Sequence, residues 1–343
     1  MNAEVAWISQ ARRVLQTESY LFQPRPKRYW SDFSLSLLLA YSAASIFLMW
    51  PLGSWPQLLA YPIAVFWLYR LGSLVHEVAH LPQHEMRVFK AVWNLAVGVM
   101  TLAPSPFFTR HHRDHHSQSI YGTVQDPEYI VNVFRPGSPL SIAAYSLLIA
   151  FFPLIVFLRF LLTPLTYLHP SLRQWTLTHA SSLTMNWRYV RRLNRRDRQA
   201  ITIIEWLCFV RASLMLAVVI FGFSHWTRLP LLYSLAIGVL ILNQLRLLAD
   251  HHFGSRGLHV SLPEHIRDSC NYTGKDPLTW LLFPFSIRYH ALHHLFPSLP
   301  YHNLSTAHSR LLERLPLESP YRELDQITWW SVARRTLLGI RLG

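Results

Sequence analysis

Long apolar runs alternate with polar, histidine-bearing stretches along the chain. A helix that crosses the hydrocarbon core of a bilayer needs about 20 predominantly apolar residues, within a range of about 17–25. Residues 33–50, 57–75, 201–224 and 229–249 meet that requirement. The first two are joined by the uncharged turn Pro51-Leu52-Gly53-Ser54-Trp55-Pro56 and the last two by His225-Trp226-Thr227-Arg228. The pattern therefore predicts two helical hairpins. Two further apolar stretches fit a crossing less well. Residues 92–108 end in Pro104 and Pro106, which predicts a buried or interfacial helix. Residues 139–168 are too short for two crossings and are interrupted by Pro153, Arg159 and Pro164, which predicts a re-entrant or interface-lying segment.

Composition strengthens the membrane reading. Of the 343 residues 51% are hydrophobic and 15% charged, against about 25% charged in an average soluble domain. The formal charge is +14, but a mean hydropathy of +0.17 points to anionic headgroups and not to nucleic acid as the partner of that charge. Positive residues are retained on the cytoplasmic side of a membrane. Of the 32 Lys and Arg, 28 lie in the N-terminal arm, in residues 76–200 or beyond residue 250, and the hairpin tips carry only Arg228. Both termini and the long middle segment are thus expected in the cytoplasm. The first 32 residues carry Arg12, Arg13, Arg25, Lys27 and Arg28 without an apolar run and cleavage site, so no removable signal peptide is expected. Cys208 and Cys270 form no CxxC pair, which argues against a disulfide framework or a thiolate zinc site. The expected fold is all-α: a single polytopic membrane domain over residues 1–343, with four transmembrane helices in two hairpins and a cytoplasmic helical cap.

Histidine carries the candidate chemistry. Three of its clusters fall on the side that the charge count marks as cytoplasmic: His76-x-x-x-His80, His112-x-x-His115-His116 and His290-x-x-His293-His294. Residues three and four apart are neighbours on a helix surface, so each cluster can aim two or three imidazoles at one point. Imidazole suits zinc, copper and iron, and eight such ligands exceed the four of one tetrahedral zinc. Two metals sharing the set is the economical reading, and beside a membrane it favours iron with oxygen chemistry on a lipid substrate. Glu77, Asp114, Asp126 and Glu128 are the carboxylates that can accept the outward ring N–H of a ligating histidine. His111 leaves the register of the second cluster open, because His111 and His115 are as good an i, i+4 pair as His112 and His116. Rival readings stay open. His76-Glu77-x-x-His80 also spells the HExxH of a membrane zinc metalloprotease, and a histidine-rich metal carrier would want more polar spans. A ferritin-like bundle wants Glu-x-x-His on two helices, and Glu77 to His80 is the one match in the sequence.

In these three boxes, their order and their placement around two hairpins, the chain resembles the membrane-bound fatty acid desaturase and hydroxylase superfamily over about residues 30–310. The phrase from His293 to Tyr301, HHLFPSLPY, is similar to the stretch at and after the last box in many members. The resemblance implies two non-haem iron ions, O2 as co-substrate, and desaturation of a fatty acyl chain or acyl lipid. The same chemistry can instead end in hydroxylation or ketolation of carotenoids or other lipids. It implies as ligands His76, His80, His112, His115, His116, His290, His293 and His294. One more is expected just after the last span, where His251 is preferred and His252 is the alternative. Leu247 stands where some relatives carry an Asn, so no water-bridged contact is expected there. A fused haem domain would need His-Pro-Gly-Gly, whereas the nearest string is His169-Pro170-Ser171. Electrons are therefore expected from a separate donor, a ferredoxin or small haem protein. The basic run from Arg188 to Arg198 serves either as its dock or as a topology signal. Arg211, within the third span, has no partner in the sequence, since Glu205 lies six residues away.

Overall fold

The computed structural model describes residues 3–339, which are mostly helical. Strand pairing among them is limited to the two-residue parallel ladder of Asn271–Tyr272 with Asp325–Gln326 and three isolated bridges. The chain divides into two compact units: residues 1–29, 114–144 and 243–343 form one, and residues 30–113 and 145–242 form the other.

The second unit is built mainly from long apolar helices. Among the described residues five helices are long and apolar enough to cross a membrane: Ser19–Met49, Trp55–His80, Pro139–Leu161, Arg195–Ile220 and Arg228–Leu247. Only 11% to 33% of their most apolar stretches is buried, so most of that surface faces outward, as it must where lipid is the solvent. Four of the five cover most of the expected spans, and three of these end before residues 50, 224 and 249 where the spans were expected to end. The fifth departs from expectation: residues 139–161 form one continuous helix of 23 residues that runs through Pro153. An internal proline removes one backbone hydrogen bond without obliging an apolar helix to end, and membrane helices tolerate it. The interruption arrives only at the 3-10 turn Thr163–Tyr167.

The helix Trp55–His80 runs five residues beyond the expected span, so His76 and His80 sit in its last turns. It stops where Leu81 turns extended, with φ −56° and ψ 130°, because the ring of Pro82 disfavours helical backbone in the residue before it. Ala43, Phe47, Ala60, Ala64, Val65 and Leu235 form the core between three of the spanning-length helices. Small residues bring such backbones close. At Gly238 an added Cβ would lie 2.6 Å from Val65 Cγ2.

Glu205, fully buried in Arg195–Ile220, is taken by Arg159 Nη2 at 2.9 Å, by Tyr167 Oη at 2.6 Å and by Arg173. Arg159, which marks an interruption in the sequence, is thus half of a charge clasp that ties the end of Pro139–Leu161 to the start of Arg195–Ile220. The basic run is partly structural too. Arg191 is buried, and Arg196 and Arg198 donate to Gln83 and Gln174.

In the first unit the helix Ala3–Gln16 packs on Tyr301–Arg314, where Glu18 meets Arg314 at 2.8 Å and Asn303 Nδ2 donates to Leu21 O at 2.6 Å. The extended segment 268–272 runs between the stretch carrying His251 and the short helix His290–Leu295. Its backbone bonds to both: His252 N–H to Asp268 O at 2.7 Å, and Ala291 N–H to Cys270 O at 3.1 Å.

Candidate metal centre

In the second unit His76 and His80 stand four residues apart on the end of Trp55–His80, and His112 comes from the helix Pro106–His115. The three rings lie 4.7 to 5.1 Å apart between centroids. The second helix is fixed to the first by Arg113, whose Nε and Nη2 donate to Ala79 O at 3.0 and 2.8 Å. That carbonyl belongs to the last turn of a helix, where no backbone donor of the same helix is left for it. The start of Pro106–His115 is held by Asn94, which accepts from Ser105 N–H at 2.8 Å and donates to Ser105 Oγ at 2.9 Å. Phe108 stacks on His112 at 4.8 Å. Glu77 Oε1 lies 3.6 Å from His76 Nδ1.

In the first unit His115, His251, His290 and His294 form a buried nest whose candidate ligand atoms all lie within 4.8 Å of one another. His290 and His294 project together because they are four apart on one helix. The outward nitrogens of three rings are engaged. His115 Nδ1–H donates to Asp126 at 2.9 and 3.1 Å. Asp126 is itself clamped by the backbone N–H groups of Gly122, Glu128 and Tyr129 at 2.9 to 3.0 Å. Gly122 has φ +69°, and a Cβ there would meet Ser255 Cβ at 2.9 Å, so the turn that builds this clamp requires glycine. His251 Nδ1 lies 3.0 Å from Tyr121 Oη and 3.1 Å from Ser269 Oγ, and the tyrosine donates its own proton to Asp268 at 2.9 Å. His294 Nδ1 faces His265 Nε2 at 2.8 Å.

With Nδ1 engaged outward, the Nε2 lone pairs of His115, His251 and His294 point inward. His290, whose Nδ1 has no hydrogen-bond partner, has its Nε2 3.2 Å from His251 Nε2 and 3.1 Å from His294 Nε2. A proton on His290 Nε2 can serve one of these neighbours, which leaves the other lone pair unmet. A further proton is disfavoured, because burial, followed by the charges of neighbouring rings, pushes His251, His290 and His294 well below the usual imidazole range. A metal fits: nitrogens about 2.1 Å from a shared ion lie about 3.0–3.4 Å from one another. The four rings are between 1% and 5% exposed, which keeps bulk water from competing for the ion. At His115 burial opposes protonation, but the charge and hydrogen bond of Asp126 outweigh it and raise the affinity of the ring for protons. The same carboxylate makes the opposite nitrogen a better metal donor. Beside the nest, His116 and His293 pair through their Nε2 atoms at 3.1 Å.

The other sequence candidates fall elsewhere. His111 Nδ1 lies 3.0 Å from Phe107 O, and its ring packs on Phe108 and Tyr189 and not on the boxes. His252 Nε2 lies 3.5 Å from Cys270 Sγ, so it is His251 that enters the nest. Asp114 and Glu128 are half-buried, and Glu128 acts on His115 through its charge. Sequence reasoning passed over His265, Tyr121, Asp268 and Ser269. His265 is buried and stacks on Tyr121 at 3.5 Å. Burial pushes it down to about 3, so it stays neutral and its Nε2 can accept from His294. No local spacing could have singled it out, since 29 residues separate it from His294.

Comparison with known proteins fits this geometry. Residues 52–324 match the fatty acid desaturase family. A relative named ceramide hydroxylase, from Caulobacter vibrioides (strain NA1000 / CB15N), is 34% identical over 329 residues, which cover 93% of this chain and 90% of that protein. The metalloprotease reading of His76-Glu77-x-x-His80 gives way to these matches. The chain belongs to the fatty acid desaturase family, as a multi-pass membrane oxidoreductase that modifies lipids.

Proposed function

We propose that the protein is an O2-dependent di-iron enzyme that oxidises the hydrocarbon chain of a membrane lipid, with hydroxylation of a ceramide-like lipid as the outcome. The observation that carries the proposal is the buried nest in which four imidazoles converge, with more inward lone pairs than one proton on His290 Nε2 can satisfy. His115, His251, His290 and His294 are assigned to one iron. His76, His80 and His112, which gather in the second unit, are assigned to the second. Iron in such a site supplies the activation of O2. The protein's part is to hold three of the rings in one tautomer. Asp126 does this for His115, Tyr121 and Ser269 for His251, and His265 for His294. The name of the relative supports hydroxylation, and the family match keeps desaturation as the second reading.

The two outcomes differ by whole atoms. Hydroxylation adds one oxygen to the lipid, whereas desaturation removes two hydrogens. Mass spectrometry of lipids from cells expressing the chain or its His294→Ala variant should show a sphingolipid with one additional oxygen only with the former. Lipids short of two hydrogens would establish desaturation, and identical profiles would overturn both. Metal analysis of the purified protein should find about two irons per chain, and one zinc would contradict the assignment.

We also place the histidine-bearing ends of the helices in the cytoplasm, on the strength of the Lys and Arg distribution. Within the second unit, the hydrogen bond from Arg196 to Gln83 fits this, because it sets the start of Arg195–Ile220 beside the end of Trp55–His80. A separate protein is proposed to deliver the electrons. A reporter fused after Gly343 should score cytoplasmic, and a score on the other side would reverse the topology.

A further inference from the structure

The helix His290–Leu295 carries the third box, yet Tyr289 at its start makes no side-chain cap. Its first N–H groups would be orphaned, but the partners come from the segment 268–272, far away in sequence. Ala291 N–H donates to Cys270 O at 3.1 Å, and Leu292 N–H donates to Asn271 Oδ1 at 3.1 Å. Asn271 is fully buried, and its backbone bridges Tyr289. Its other side-chain atom, Nδ2, donates to Asp325 Oδ1 at 3.3 Å. Behind Asp325 stand His308, whose Nε2 is 3.5 Å from Asp325 Oδ2, and Tyr321, whose hydroxyl is 2.8 Å from His308 Nδ1. On its opposite edge the same segment holds the stretch bearing His251: Ser269 bridges His251, and Cys270 N–H donates to Asp250 O at 3.2 Å.

We propose that Asn271 is a positioning residue for the metal nest, the cap that sets His290 and His294 at the right height against His251, with Asp325 holding its amide in the productive orientation. The chemistry admits one orientation. The carbonyl oxygen must face Leu292 N–H, and only the amide nitrogen can donate to a carboxylate. A flipped amide would set two donors against each other at the helix and two acceptors against each other at Asp325. One asparagine is thereby tied to the helix by its side chain and to the His251 stretch by the strand it belongs to. A shift of the helix along its axis would break both the Leu292 bond and the Ala291 bond. It would also pull His290 Nε2 from its 3.2 Å approach to His251.

This inference rests on the metal-site reading, and the test separates the two. Metal content of the wild-type protein tests the parent reading. The comparison of variants at equal loading tests the role of Asn271. Asn271→Asp keeps an acceptor for Leu292 N–H but sets a second carboxylate against Asp325. It is expected to lose bound iron to a competing chelator about 10–100-fold more readily, the usual cost of disturbing a group that orients a ligand. The double variant Asn271→Asp, Asp325→Asn exchanges the two groups and restores a donor–acceptor pair with the Leu292 acceptor in place. Its resistance to the chelator should return toward that of the wild type, whereas Asp325→Leu, which leaves the Asn271 amide without its acceptor, should lose part of it. Thermal unfolding of each metal-free variant guards against a general loss of fold. Wild-type chelator resistance in Asn271→Asp would overturn the proposal, as would a double variant no better than Asn271→Asp.

Discussion

Replacing Asp126 by Asn removes one charge and one acceptor while leaving the shape of the side chain almost unchanged. In the wild type the two carboxylate oxygens serve five contacts: Gly122 N–H on Oδ2, Glu128 and Tyr129 N–H on Oδ1, and His115 Nδ1–H on both. An amide cannot reproduce them. With its oxygen at the Oδ1 place the NH2 group meets Gly122 N–H, and with the amide flipped it meets two other N–H donors. At least one buried N–H is then unsatisfied, at a cost of about 1–3 kcal/mol of folding stability. The grip on His115 weakens in the same step. Loss of a group that orients a ligand typically lowers metal affinity about 10–100-fold, or about 1.4–2.8 kcal/mol. Two assays on purified protein read the two effects separately: the thermal midpoint without metal, and competition for iron by a chelator of known affinity. Asp126→Glu keeps the charge and should fall between wild type and Asn. Wild-type iron affinity in Asp126→Asn would refute the argument that the carboxylate fixes the tautomer of His115.

Further consequences can be checked in the same way. His265→Ala should weaken iron retention about tenfold or more, with His265→Gln recovering part of it because its amide oxygen can accept from His294 Nδ1–H; equal retention in all three proteins would remove His265 from the site. Glu205→Ala leaves two half-buried guanidinium groups without their shared buried anion, and loss of one partner from a buried pair costs up to about 3–5 kcal/mol. The detergent-solubilised protein should then unfold at a clearly lower temperature, and an unchanged midpoint would contradict the clasp. At Gly238 an added Cβ lands 2.6 Å from Val65 Cγ2, so Gly238→Leu should lower the yield of folded protein far more than Gly238→Ala. Equal yields would mean that the helices do not approach so closely.

Much of the architecture was legible in the letters, because hydrophobic run length is a direct consequence of bilayer thickness. Four helices of spanning length, and the box histidines at helical spacing, follow from counting. Helix ends were less legible. The span expected to stop at residue 75 continues to His80, since nothing before Pro82 opposes helix in an apolar and then partly buried stretch. Residues 139–161 read as interrupted, but Pro153 alone does not end the helix, and Arg159 finds a buried anion 46 residues away. Glu205 and Arg211 are six residues apart and looked like a failed pair, whereas the true partners of Glu205 are distant in sequence.

At the metal centre the division has the same cause. Sequence by itself determined which side chains can bind metal, since ligand chemistry belongs to the residue and the i, i+3 and i+4 spacing belongs to the helix. It also offered Asp126 among the carboxylates able to orient a ring. Only the tertiary structure decided that His251 and not His252 enters the nest, that His112 and not His111 joins His76 and His80, and that His265, Tyr121 and Asn271 stand behind the rings of the nest. Those choices depend on where a ring nitrogen finds a hydrogen-bond partner, and the partners come from segments as far as 130 residues along the chain. Spacing along one helix carries no information about such contacts, because the packing that creates them forms between elements.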